Sequence, residues 1–156
     1  MVNDFFKELT ELLNKALEME HQANIQYLSH AEVIDGETCE PIITRLNEIA
    51  GDEKEHAAKL RSLIGDFLDG VPAITMTKAR NARTIKEILK TNLEDEKKAV
   101  DVYNKILKTI SDNKSKLSYN FWKLEHDVRH IIIDEQEHIA ELRRIAGMKL
   151  KEVEKL

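Results

Sequence analysis

Along four stretches of this chain apolar residues recur in alternating steps of three and four, the period of an α-helix that buries one stripe of its surface. The first stripe runs Leu13, Leu17, Glu20, Asn24, Tyr27, Ala31 and Ile34, and the second Leu46, Ile49, Glu53, His56, Leu60, Leu63 and Phe67. A third follows Ile85, Leu89, Asn92, Glu96, Ala99, Tyr103, Ile106 and Ile110. The fourth takes Leu117, Phe121, Leu124, Val128, Ile131, Glu135, His138, Leu142 and Ile145. Local signals bound these segments. Gly36 and Gly147 suit the left-handed residue that ends a helix, and Pro41 suits a first turn, where its missing N–H costs nothing. Thr84-Ile85-Lys86-Glu87 reads as a capping box. The pattern predicts helices over about 4–35, 40–69, 84–111 and 115–146, each roughly 30 residues and so ~45 Å long.

Connection lengths then set the topology. Short links after the first and third helices force antiparallel hairpins, while residues 71–83 are enough to travel the length of a bundle. The expectation is an all-α four-helix bundle of two helical hairpins joined by one long crossover.

Composition narrows the picture. A chain of 156 residues with 5 Gly, 2 Pro and 34% charged residues fits one helical domain, 1–156. A net charge of −5 speaks against a nucleic-acid partner, and the closing MKLKEVEKL reads as a solvated tail. Cys39 stands alone and closes no internal disulfide. With neither a signal peptide nor an apolar run of ~18 residues, the chain is expected to be cytoplasmic and free of the membrane.

Every stripe is apolar at its ends and acidic near its middle. Burying Glu20, Glu53, Glu96 and Glu135 together is prohibitive unless something neutralises them, since desolvation costs several kcal/mol per ion. Two divalent cations balance four carboxylates, and neutral His56 and His138 complete the ligand set without changing the sum. Glu-x-x-His puts both side chains on one helix face. One such pair means little, because 19 Glu and 6 His generate about 0.7 by chance, and Glu18 with His21 is a third pair lying off its seam. Two in-seam pairs inside a repeat mean more. Residues 52–61 read DEKEHAAKLR and 134–143 read DEQEHIAELR. Tyr27 follows Glu20 by seven residues and Tyr103 follows Glu96 by seven, so the halves read as copies of one helix pair. The second copy carries about six extra residues around Ser111 to Asn120. Each ion is then expected to receive one His, one Glu of its own and bridging carboxylates.

At these residues the chain resembles the ferritin-like superfamily of di-iron carboxylate proteins. Its E-x-x-x-x-x-Q-Y-L-x-H segment and its two D-E-x-x-H segments look most like bacterioferritin. The resemblance implies two iron ions per chain held by Glu20, Glu53, His56, Glu96, Glu135 and His138, with Glu53 and Glu135 bridging. It places Tyr27 beside the site, and Tyr103 has its counterpart in rubrerythrins. The implied activity is oxidation of Fe2+ by O2 or H2O2 in a homo-oligomer, at least a dimer, with either tyrosine donating an electron or a hydrogen bond. Departures qualify it. Lys54 stands where bacterioferritins carry a haem-ligating Met, which implies no haem. There is no Cys-x-x-Cys pair, and Ala99 replaces the extra rubrerythrin Glu. The tail after Gly147 is short for the fifth helix of cage-forming ferritins. The alternatives are a rubrerythrin-like peroxidase and a non-enzymatic bundle holding Zn2+ or Mn2+, since the donors suit several divalent ions.

Other polar residues receive lesser roles. His30, His126 and His130 fall off the seams and read as solvated or interface side chains. Glu94 is expected to point away from Glu96, with entry into a flexible ligand set as the alternative; Asp52 and Glu48 read as a solvated acid pair, with an auxiliary iron site on an inner surface as the alternative; Asn24 and Asn92 are candidates for hydrogen bonds behind the ligands. Cys39 reads as a small buried apolar residue.

Overall fold

A computed structural model describes residues 2–156. The chain folds into helices α1 (Val2–Val33), α2 (Glu40–Leu68), α3 (Ile85–Asp112), α4 (Phe121–Ile145) and α5 (Leu150–Val153), and no strand occurs among the described residues. The first four form a bundle in which α1 pairs with α2 and α3 with α4. Side-chain partners fix the directions: Tyr27 meets Glu96 and Tyr103 meets Glu20, so α1 and α3 are antiparallel. Asp52 meets His138 and Asp134 meets His56, so α2 and α4 are antiparallel as well.

The helix ends follow local chemistry. Thr84 caps α3 by accepting from the Glu87 amide, and the Glu87 carboxylate accepts from the Thr84 amide in return. Gly36 and Gly147 adopt positive φ, 117° and 68°. At the end of α2 the left-handed residue is Asp69, not the glycine beside it. Gly70 serves close approach instead, because a Cβ there would lie 2.7 Å from Thr10 Cγ2 on α1.

Two boundaries depart from the periodicity. The fourth helix begins at Phe121 rather than near 115, after a 3-10 turn at Lys114–Lys116. Leu117 is buried in the core and its carbonyl accepts from the Phe121 amide, while the Asn120 side chain bonds the Phe67 carbonyl on α2. The turn thus uses the extra residues of the second half. The closing residues are not a free tail: Val153 on α5 is buried, and Lys97 donates to the carbonyls of Val153 at 2.8 Å and Leu156 at 3.0 Å.

The crossover is strapped to α1 by a polar stripe spaced every four residues: Asn14, Glu18, Gln22, Gln26 and His30. Asn14 bonds Val71 and Ala73, Glu18 bonds Thr75 and Thr77, and Gln22 bonds Thr77. Gln26 accepts from the Arg80 amide at 2.7 Å, and His30 donates to the Arg80 carbonyl at 2.9 Å. Of the two readings, solvated or interface, His30 is therefore not solvated but buried between the crossover and α3. Its second nitrogen accepts from Asn92 at 2.9 Å, and burial pushes its pKa down, keeping the imidazole neutral. His21, off the seam, also faces the crossover, 2.8 Å from the Thr75 carbonyl.

The apolar core falls into two clusters. One gathers Leu9, Leu13, Leu17, Leu60, Leu63, Tyr103, Ile106, Leu124 and Val128, and the other Tyr27, Leu46, Ile49, Ile88, Leu93 and Leu142. The acid-bearing middles of the four helices lie between them.

Removing the α3 cap tests whether local chemistry fixes the crossover's end. Thr84→Ala is expected to lower stability by ~1 kcal/mol in urea denaturation, and Thr84→Ser to restore most of it.

Candidate metal centre

Each bundle helix places one glutamate in this middle layer, and α2 and α4 add a histidine one turn later. All six side chains are buried: Glu20 and Glu96 are 3% exposed, and Glu53, His56, Glu135 and His138 are 1% exposed. Their donor atoms form two groups, Glu20, Glu53, His56 and Glu135, and Glu53, Glu96, Glu135 and His138. Within each group one ligand atom per residue lies within 4.8 Å of the others. Glu53 and Glu135 belong to both, which makes them the candidate bridges.

Both histidines present Nδ1 to the acids. His56 Nδ1 lies 3.1 Å from Glu53, 3.0 Å from Glu135 and 3.8 Å from Glu20. His138 Nδ1 lies 3.2 Å from Glu53, 3.4 Å from Glu135 and 3.5 Å from Glu96. One N–H cannot align with three oxygens, and the result shows. Glu53 Oε1, both Glu135 oxygens and His138 Nδ1 are buried without a hydrogen-bond partner. Orphaned buried acceptors cost ~1–3 kcal/mol each, and a cation at their focus would satisfy them together. The donor set, carboxylate oxygen with imidazole nitrogen, suits divalent iron, manganese or zinc.

Behind these residues the pseudo-twofold is carried by bonds that cross between the halves. Tyr27 on α1 donates to Glu96 on α3, and Tyr103 on α3 donates to Glu20 on α1. His56 Nε2 lies 3.0 Å from Asp134, and His138 Nε2 lies 3.0 Å from Asp52. Each Nε2 donates to its aspartate, so each Nδ1 is the nitrogen turned toward the acids and available to a metal once its proton is displaced. Asp52 and Asp134 open the two copies of the decapeptide, and each orients the histidine of the other copy. Periodicity missed both, reading Asp52 as part of a surface pair. Its supposed partner Glu48 instead pairs with Arg45 at 2.9 Å. Asn24 bonds the Ala50 carbonyl at 2.7 Å, so it braces α1 on α2 rather than a ligand. Glu94 points away from the acids, pairing with Arg80 at 2.9 Å. Lys54 is exposed, and Cys39 is partly buried against the second cluster.

Without metal the acids divide unequally. Burial pushes Glu53 well above the usual carboxylate range, helped by repulsion from Glu20 and Glu96. Burial likewise raises Glu135, helped by Glu53 and Glu96. For Glu20 burial also pushes up, but His56, Glu53 and Tyr103 together outweigh it and leave the pKa lowered. Glu96 feels the same upward push, overcome by Glu135, His138 and Tyr27, and is held down to about 2. Burial alone would lower both histidines, yet the surrounding carboxylates raise them well above the ordinary imidazole value. These shifts favour the protonated forms of Glu53, Glu135, His56 and His138 and so lessen the negative charge of the metal-free layer, as bound cations would.

A cavity of about 370 Å3 opens between α1, α3 and the crossover, lined by Met19, Ala23, Tyr27 and Ala99 beside Glu20, Glu53, Glu96 and Glu135.

Residues 10–149 match the family model described as a ferritin-like domain, and the chain therefore belongs to the ferritin-like family. Solved structures agree on the fold. A ferritin-like, diiron-carboxylate protein from Bacillus anthracis is 26% identical, with a TM-score of 0.83 over 91% of this chain and 97% of that one. The bacterioferritin of Desulfovibrio desulfuricans, a protein with a diiron site, superposes with a TM-score of 0.82 at 23% identity, covering 94% and 82% of the two chains. A dodecameric thioferritin from Bacteroides fragilis gives 0.75 at 24% identity, covering 89% and 84%. A search of the curated proteins found no match. No helix among the described residues is long and apolar enough to cross a membrane.

The raised values set a pH dependence for the metal-free protein. A group whose folded pKa lies above its unfolded one contributes stability at low pH and loses it as pH rises through the folded value. Glu53 and Glu135 act so from ~4.5 upward, and His56 and His138 join above ~6.5. Metal-free protein is therefore expected to melt at a higher temperature at pH 5.5 than at pH 8. Metal-loaded protein should show the reverse, because acid protonates the ligands and releases the ions. Asp52→Asn and Asp134→Asn should each weaken metal binding by roughly 10- to 100-fold, measured by competition with a chelator.

Proposed function

We propose that the chain is a di-iron oxidase that takes up Fe2+ and oxidises it with O2 or H2O2. Glu20, Glu53, His56, Glu96, Glu135 and His138 are the proposed ligands of two ions per chain, with Glu53 and Glu135 shared. The observation that carries this reading is the pair of buried donor groups overlapping at those two glutamates, three of whose four oxygens lack a hydrogen-bond partner. Two ferrous ions held there would each supply one electron to the oxidant.

The protein's part is to hold and neutralise. Asp52 and Asp134 fix the imidazoles with Nδ1 inward, and Tyr103 and Tyr27 hold the unshared Glu20 and Glu96 by one oxygen each. Both tyrosines are buried and their pKa values are pushed well up, first by burial and then by Glu96 for Tyr27 and Glu20 for Tyr103. Each hydroxyl therefore stays protonated and serves as a donor. The cavity between α1, α3 and the crossover is the proposed way in for the oxidant. Haem is no part of the proposal, because Lys54, exposed beside the groove between α1, α2 and the crossover, stands where the resemblance would require a haem-ligating Met. A single-domain chain acting in the cytoplasm as a homo-oligomer completes the proposal, by analogy with the oligomeric relative.

Anaerobic loading with Fe2+ followed by stopped-flow mixing with O2 or H2O2 tests the activity. Wild type is expected to bind two ions per chain and accumulate Fe3+ without added reductant. Glu53→Ala and Glu135→Ala should bind one ion or none and lose the fast phase. Turnover only with an external reductant identifies a peroxidase, and inert binding of Zn2+ or Mn2+ in preference to iron identifies a metal-braced bundle. Incubation with haem is expected to give no stoichiometric Soret band.

A further inference from the structure

Two histidines take no part in the buried layer. His126 and His130 lie one turn apart on α4, His126 being nine residues, or ~13 Å along the axis, before Glu135. Both are exposed, and their rings are neighbours, with centroids 4.2 Å apart and planes tilted by 30°. Spacing of i, i+4 brings two imidazoles to one helix face, where a single ion accepts a nitrogen from each.

A second observation singles this pair out. His126 Nδ1 lies 3.0 Å from the Asp127 carboxylate, which is itself 5% exposed and is held on its other oxygen by Lys123 at 3.0 Å. Burial would raise Asp127, but the bonds from His126 and Lys123 overcome it and keep the carboxylate ionised. It therefore accepts from Nδ1, which makes Nε2 the His126 nitrogen available to an ion. This is the device that Asp52 and Asp134 apply to the core histidines, with the opposite ring nitrogen turned outward. The nearby cations are spoken for, Lys123 by Asp127 and Arg129 by Glu125 at 2.7 Å, so neither is a free charge opposing an incoming ion.

We propose that His126 and His130 form a surface site, separate from the buried layer, for one divalent transition-metal ion of the Cu2+, Ni2+ or Zn2+ class, bound through one nitrogen of each ring. Two imidazole N-donors favour these ions over Mg2+ or Ca2+. Asp127 is a positioning residue that fixes the His126 tautomer.

Equilibrium dialysis of untagged protein against Cu2+, with electron paramagnetic resonance of the bound ion, provides the test. Wild type is expected to bind one Cu2+ per chain more than His126→Ala/His130→Ala, and the extra ion should show coupling to two nitrogens. Asp127→Asn should weaken that ion by roughly tenfold while leaving the core stoichiometry unchanged. Because both rings are exposed, circular dichroism should be unaltered in the double variant. Equal stoichiometry in wild type and double variant, or wild-type affinity after loss of either single histidine, overturns the proposal. Since the comparison is a difference between variants that share an intact core, its outcome does not depend on which metal the core prefers.

Discussion

Four carboxylates meet in the middle of this bundle, and the rest of the structure is arranged around the cost of having them there. Removing one ion from water costs several kcal/mol even after relaxation, while a whole domain is stable by only about 5–15 kcal/mol. Left ionised and unpaired, the layer formed by Glu20, Glu53, Glu96 and Glu135 would exceed that margin. Neutralisation is thus a condition of folding. The upward pKa shifts of Glu53, Glu135, His56 and His138 favour protons there in the metal-free chain, while orphaned acceptors remain. Two divalent cations would balance the four carboxylates and satisfy those acceptors too.

The neighbouring chemistry serves that layer in duplicate. Each half contributes a tyrosine that reaches across to the other half's glutamate, and an aspartate that reaches across to the other half's histidine. Crossing has a mechanical consequence. The geometry of each candidate metal position depends on both hairpins, so the two positions form only when α1–α2 and α3–α4 have docked in register. The crossover helps set that register: one edge is strapped to α1 through Asn14, Glu18, Gln22, Gln26 and His30, and Arg80 ties it to α3 through Glu94 and Asp95.

Much of this was legible in the sequence, for physical reasons. A stripe that is apolar at both ends and acidic in the middle has no stable buried state without a counter-charge, which made the six proposed ligands stand out before any fold was known. The aspartates did not stand out, because each sits one residue before a seam glutamate, ~100° around its helix, where a carboxylate reads as solvated. Only the antiparallel docking of α2 on α4 brings Asp52 to His138. His30 could not be assigned to solvent or interface for a related reason. It is off the hydrophobic seam but on a second, polar seam of four-residue steps, whose meaning depends on a crossover with no periodicity of its own. The start of α4 was misplaced because Leu117 carries the right apolar phase for a helix, yet is buried from the residue that follows a 3-10 turn.

The central claim is that the buried layer is a two-ion site with two shared glutamates. Anomalous diffraction at the iron absorption edge, from crystals loaded with Fe2+ under anaerobic conditions, tests it most directly. The account predicts two peaks in the layer per chain, one among Glu20, Glu53, His56 and Glu135 and one among Glu53, Glu96, Glu135 and His138. A single peak in the layer, or iron bound only outside it, would contradict it.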